Sequence, residues 1–379
     1  MTPLENLRRY VWAIGPLPPP VTGMSLLTEK VVARLGDLSP QPLRISNFTS
    51  GDARPRLHTR ALRLFRTVGC LAQLVAHGPE RGGRLYIASN SRGGLLMTGL
   101  LIKAGQRLGY TIFLHHHTYN YIDAFDKKMA WIDRSMRAND THVVHCPQMV
   151  DDFRARYSSR CQFAYVYPSI VSLPLAQPRR DMPEPFHLGF LANLTVAKGL
   201  DLVLDTFRVL RQKGRDVRLC LAGPCSNVEA ERLVSQALEE HKGLISHLGG
   251  VYDERKIDFF KSIDCFLFPT KYDCESWGIV LNEALASGLP VITTDRGCVR
   301  TLVGTRGGPI IDDARDYVDR AVRQVEAWID SPQEYVAASK AAIEQADYLH
   351  HEAAIQLEQI ASQICAPDNS VSVNLGSST

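Results

Sequence analysis

Residues 265–295 read CFLFPTKYDCESWGIVLNEALASGLPVITTD. The apolar run Cys265–Thr270 has the length and bounding residues of a buried parallel strand, and Val291–Asp295 is a second such run. Between them Gly288-Leu289-Pro290 stops a helix. Strand, loop, helix and strand in this order form one unit of a doubly wound α/β sheet, so this stretch decides the fold. Ser276 stands at the predicted N-cap, which leaves the amides of Trp277, Gly278 and Ile279 as unpaired donors at the positive end of a helix. Such an end binds phosphate. Glu275 precedes the helix and Glu283 lies two turns along it, so the carboxylates can grip hydroxyl-rich groups on either side of that phosphate. A nucleotide sugar has this layout.

Outward from this unit the alternation continues. Apolar runs at 10–15, 42–48, 84–89, 111–117, 142–147 and 162–170 form one series, and runs at 186–194, 217–223, 245–250, 265–270, 290–295 and 308–312 a second, with helical patterns between. Two doubly wound, Rossmann-like parallel-sheet domains facing a central cleft are therefore predicted, over 1–170 and 186–345. Segment 171–185, with Pro174, Pro178, Pro183 and Pro185, is the expected linker. A C-terminal helix over 346–365 is expected to pack back toward the first domain, and 366–379 to be a disordered tail. Ligands of such sheets bind at the C-terminal ends of the strands, which places the site in the cleft.

Five further motifs sit at strand ends. AIGPLPPPVTGMS (13–25) brings Gly23, flanked by Thr22 and Met24, to a helix mouth where backbone can approach an anion. His115, His116 and His117 close a strand; alternate side chains point to opposite faces, which argues against the three converging on one metal ion. GFLANLTVAKG (189–199) places Lys198 before a helix, and LAGPC (221–225) places Gly223 at a βα turn. Ser89–Gly94, with Ser91 and Arg92, is a polar strand-to-helix loop suited to an anionic acceptor or simply to a capped helix with an exposed arginine.

Glu275, seven residues, Glu283, then Ala284, Ala286, Gly288, Pro290 and Val291 resemble the signature of retaining glycosyltransferases of the GT-B fold, specifically glycosyltransferase family 4. The resemblance covers roughly residues 10–345. It implies a nucleotide-diphosphate sugar donor, with Gly23, Lys198, Gly223, Ser276, Trp277, Gly278 and Ile279 around the donor. It also implies that Glu275 holds the sugar hydroxyls, that Glu283 holds the ribose diol, and that His117, paired with Thr118, lies near the transferred sugar. Asn193 stands where the family commonly has a diphosphate-binding arginine, so a bidentate fork is missing. No Asp-x-Asp metal motif is present where metal-dependent glycosyltransferases need one, so neither a metal nor another cofactor is expected. The implied chemistry is hexosyl transfer with retention to a lipid-linked or saccharide acceptor in surface polysaccharide or glycolipid synthesis. A sugar-nucleotide epimerase of similar fold and a non-catalytic nucleotide-sugar scaffold are the alternatives.

Composition fits a two-domain enzyme: 379 residues, 45% apolar and 22% charged. Nine cysteines without C-x-x-C or paired spacing suggest a reducing compartment, and no signal peptide or membrane span is expected, so a cytoplasmic location follows. The net charge of +3 hides an asymmetry, since residues 1–170 hold 22 Lys+Arg against 11 Asp+Glu. Arg54, Arg56, Arg60, Arg63 and Arg66 enter a segment where Ala61, Leu64, Phe65, Val68, Leu71, Ala72 and Val75 recur at helical spacing. Such a basic amphipathic helix either packs its apolar stripe on its own domain or attaches to an anionic membrane surface; nucleic acid is not expected as a partner.

Overall fold

The computed structural model describes residues 10–49, 57–78, 82–179, 181 and 183–366, with only backbone for 57–61 and 63. Residues 367–379 of the tail predicted over 366–379, and Arg54 and Arg56, lie outside them, as do the side chains of Arg60 and Arg63.

Each of the twelve apolar runs coincides with one strand, β5 beginning one residue ahead of its run. The first series gives β1 (Val11–Gly15), β2 (Arg44–Asn47), β3 (Arg84–Ala88), β4 (Thr111–His115), β5 (Thr141–Val144) and β6 (Gln162–Tyr165), ordered β2-β1-β3-β4-β5-β6. The second gives β7 (Phe186–Leu191), β8 (Val217–Ala222), β9 (Ile245–His247), β10 (Cys265–Phe268), β11 (Val291–Thr294) and β12 (Ile310–Ile311), ordered β12-β11-β10-β7-β8-β9. Every pairing is parallel. The central strands β3, β5, β10 and β11 are buried along their whole length, because helices cover both faces. In each sheet the order reverses beside the strand where the chain starts, β1 and β7, and the switch points open toward one another.

Several contacts join the halves. The terminal helix is one unbroken element, Pro332–Cys365, so a boundary at 345/346 would cut through it. Its first turns bury Tyr335 in the second domain's core, and its last turns bury Leu357, Ile360, Ala361 and Ile364 against Leu27, Val31 and Leu35 of the first. The linker lies on the second domain, where Ala176 N donates to Ala286 O at 2.8 Å and Arg179 N to Ser339 Oγ at 2.8 Å.

Two expectations need correction. Cys146 and Cys298 form a disulfide across the two halves, 152 residues apart with Cα atoms 5.9 Å apart. Sequence spacing could not reveal it, because the partners follow β5 and β11 at separate sheets' C-terminal ends. The basic helix, Leu57–His77, does not turn its apolar stripe inward. It packs through Thr67, Cys70 and Leu74, while Leu64 (53%), Phe65 (75%), Val68 (47%) and Val75 (57%) stand exposed. Docking uses the neighbouring face of the helix, so the periodic pattern is real but faces solvent.

Candidate active site

The C-terminal ends of β1, β4 and β5 meet those of β7 and β10 around a cavity of about 300 Å³. Gly23, Met24 and Leu27 line it from the helix Gly23–Leu38, and His117 and His145 from the loops after β4 and β5. Across from them stand Ala192, Asn193, Lys198 and the run Cys274–Val280. The helix Gly23–Leu38 starts here because Thr22 caps it, its Oγ1 accepting from Ser25 N at 3.1 Å while Ser25 Oγ accepts from Thr22 N at 2.9 Å. Gly23 is needed for proximity: a Cβ there would lie 2.9 Å from Ile279 Cδ1 of the opposite domain.

The signature helix is Ile279–Ala286, and its N-cap is Gly278, with φ 78°. Ser276 is therefore not the cap. A left-handed residue at 278 sets the helix start later, and the Ser276 hydroxyl instead donates to His117 O at 3.1 Å, tying the two domains together. The amides of Ile279 and Val280 become the first helical donors, and both residues line the cavity. Trp277 is buried beside Tyr167, with ring centroids 5.2 Å apart, and fixes the loop ahead of the helix.

Lys198 and Glu275 meet directly, Nζ to Oε2 at 2.5 Å, both largely shielded, with Lys198 Nζ also 4.4 Å above the Tyr272 ring. Thr195 caps the short turn that carries Lys198 by accepting from its amide at 3.2 Å. Gly199, φ 88°, then turns the chain where any Cβ would strike Pro269 O at 2.1 Å. Glu283 is not among the residues that line the cavity. Its Oε1 is 2.8 Å from Lys256 Nζ, its Oε2 has no partner, and burial pushes its carboxyl above the usual range, with Lys256 opposing the shift. Sequence reasoning missed Lys256, which sits in an ordinary polar helix, Asp253–Lys261, without a motif. Gly223 also lies off the cavity lining; its φ of 105° answers Ala192 O, which a Cβ would approach to 1.8 Å. Asn193 is exposed at the cavity rim.

The histidines separate by face. His116 points into the first domain, its Nδ1 2.8 Å from Tyr121 Oη and its Nε2 2.8 Å from His142 Nδ1. His115 and His117 point the other way, with ring centroids 4.2 Å apart, and His145 joins them at 5.4 and 5.6 Å. The alternation argument thus holds for His116 but overlooked His145. The sheet register brings it there: β4 and β5 pair with His115 opposite Val143, so position 145 comes level with 117. Burial lowers the pKa of His115, His116 and His117 well below the usual histidine value and that of His145 to about 3. These rings are neutral at physiological pH.

The polar loop Ser89–Gly94 spans the cleft rather than standing free. Arg92, at φ 54°, reaches Asp273 at 2.9 Å from the short turn Arg92–Gly94, while Ser91 makes no side-chain capping bond. Arg296 answers from the other side with Asp123 at 2.7 Å, and Thr118 Oγ1 donates to Cys274 O at 3.4 Å. The signature loop is clasped by the first domain along its length.

Residues 177–345 match the family model described as glycosyl transferases group 1. This stretch of the chain is similar to group 1 glycosyl transferases. Mannosylfructose-phosphate synthase of Agrobacterium fabrum (strain C58 / ATCC 33970) is 32% identical to it over 114 residues, 28% of this chain and a stretch spanning 25% of that protein's length. A phosphatidyl-myo-inositol mannosyltransferase of Mycobacterium tuberculosis (strain ATCC 25618 / H37Rv) is 26% identical over 308 residues, 78% of this chain and 74% of that protein. The structure of Anabaena Alr3699/HepE in complex with UDP and glucose superposes with a TM-score of 0.66 over 94% of this chain and 99% of that one, at 14% identity. The fold is GT-B.

Proposed function

We propose that the protein is a retaining hexosyltransferase of family 4 that moves a sugar from a nucleoside diphosphate sugar to a lipid-linked or saccharide acceptor. The observation that carries this reading is the convergence of Lys198, Glu275, the Ile279–Ala286 helix start, Gly23 and His117 on one cavity between the two sheets. The donor diphosphate takes the place now held by Glu275 beside Lys198, and the amides of Ile279 and Val280 share its charge. No metal ion is needed on that diphosphate. Released from Lys198, Glu275 accepts hydrogen bonds from the donor sugar, and Glu283, with its free Oε2, accepts from the ribose diol. As the bond from sugar carbon to phosphate oxygen breaks, the acceptor oxygen bonds to that carbon on the same face, and its proton passes to the departing phosphate. His117, neutral, offers the sugar a hydrogen bond.

The acceptor side lies on the first domain. The exposed Leu64, Phe65, Val68 and Val75, together with Arg66 and the arginines at 54, 56, 60 and 63, support attachment to an anionic membrane on its cytoplasmic face, where a lipid-linked acceptor resides. Among the described residues no helix is long and apolar enough to cross a membrane. Opening the Arg92–Asp273 bridge would free Arg92 and Ser91 for an anionic acceptor.

A thermal-shift screen against UDP, GDP, ADP, CMP and their sugar conjugates, without added metal, tests the donor site. A ligand of the native state raises the midpoint. One nucleoside diphosphate that raises it in the wild type and not in Glu283→Ala is the expected result; no shift with any of them overturns the reading. Release of free nucleoside diphosphate on addition of acceptor separates transfer from epimerisation, and donor binding without release marks a non-catalytic scaffold.

A further inference from the structure

We propose that His115, His117 and His145 form a binding site for one transition-metal ion of the zinc type on the first-domain wall of the cleft. One ring nitrogen of each lies within 4.8 Å of those of the other two. Nε2 of His115, Nε2 of His117 and both ring nitrogens of His145 are buried without a hydrogen-bond partner. Buried polar atoms are almost always paired, and unpaired nitrogens from three imidazoles converging on one point are a donor set lacking its acceptor. His115 is held by the Tyr86 hydroxyl, 2.6 Å from Nδ1; with Nδ1–H donating to that oxygen, the Nε2 lone pair is aimed at the cluster. This is the arrangement of a ligand histidine oriented by its other nitrogen.

Three neutral imidazoles and no carboxylate select zinc or a neighbouring transition metal over magnesium or calcium, which take oxygen ligands. Three histidine ligands leave a fourth position open, as in catalytic rather than structural zinc sites. That position faces the cavity, because His117 and His145 both line it, and it takes water or a substrate hydroxyl, whose acidity the ion raises. Zinc–imidazole bonds of about 2.0–2.1 Å put ligand atoms roughly 3.3 Å apart, so nitrogens now within 4.8 Å of one another close in by at most about 1.5 Å on binding. A second cluster, Asp133, His142 and Cys161, is already satisfied: His142 bonds Asp133 at 3.1 Å and His116 at 2.8 Å. The site stands whether or not the protein transfers sugars.

Tag-free protein stripped with chelator and titrated with cobalt(II) tests it. One equivalent should give the strong visible bands of four-coordinate cobalt, displaced by zinc, and elemental analysis should return one zinc per chain after gel filtration. His145→Leu and His117→Asn should each lose the bands while keeping wild-type circular dichroism, and Tyr86→Phe should weaken binding by roughly 10- to 100-fold. Cys161→Ser should keep them. Absence of bands in folded wild type, their survival in both folded histidine variants, or their loss in Cys161→Ser overturns the proposal.

Discussion

Gly223 and Glu283 show how single residues divide between shape and chemistry. Gly223 holds φ 105° with Ala192 O where a Cβ would sit, so the obstacle is backbone that cannot move aside. Gly223→Ala should cost about 3 kcal/mol or more, read as a lowered denaturation midpoint. Glu283 behaves in the opposite sense. Burial raises its folded pKa above 4.5, so the folded state prefers it protonated; stability is greatest below pH 4.5 and falls as pH rises through the raised value. Glu283→Gln mimics the protonated form, and Lys256 can turn to water. The melting temperature of Glu283→Gln should therefore exceed wild type by a margin that widens as pH rises from 4.5 through the raised value and then levels off. Its nucleotide-dependent shift should be lost. A stability gain coupled to a binding loss is expected of a charge kept for function. Glu283 was legible from its spacing to Glu275. Its resting partner was not, because Lys256 comes from another helix and is joined only by the packing.

At the scale of elements, the helices were readable as existing but not as facing. The Leu57–His77 helix carries its apolar residues at the expected period, yet Thr67, Cys70 and Leu74 make the contact with the domain. Periodicity gives the phase of a stripe, and only packing says whether core or solvent meets it. Phe65 is 75% exposed, so Phe65→Ser should leave the melting temperature within about 0.5 kcal/mol of wild type. Sedimentation with anionic liposomes should fall several-fold in the same variant, and neutralising Arg56, Arg60 and Arg63 should have a like effect. Unchanged sedimentation in both would leave the stripe as bare surface. The signature helix shows a smaller displacement of the same kind: a Ser cap was the natural reading, and Gly278 in a left-handed conformation moved the start to Ile279.

For the whole molecule, the decisive feature is how firmly the halves are joined. The Cys146–Cys298 disulfide, the Arg92–Asp273 and Arg296–Asp123 pairs and the shared terminal helix all cross the cleft. A crosslink closing so long a loop restricts the unfolded chain strongly, by about 5 kcal/mol in the chain-entropy account. Reductant should lower the melting midpoint of the wild type, and Cys146→Ser/Cys298→Ser should melt at that lower value with or without it. The exposed ion pairs contribute little to stability and set the relative position of the domains instead. The twelve strands, their grouping into two parallel sheets and the placing of Glu275, Lys198 and Gly23 at strand ends were fixed by the chain itself, because burial on both faces writes a continuous apolar run and a βα turn writes its own punctuation. The disulfide, the outward-facing stripe, the Lys256 partner and the meeting of His145 with His115 and His117 were decided in three dimensions alone. Each depends on which surfaces of distant elements touch, and a local pattern carries no record of that.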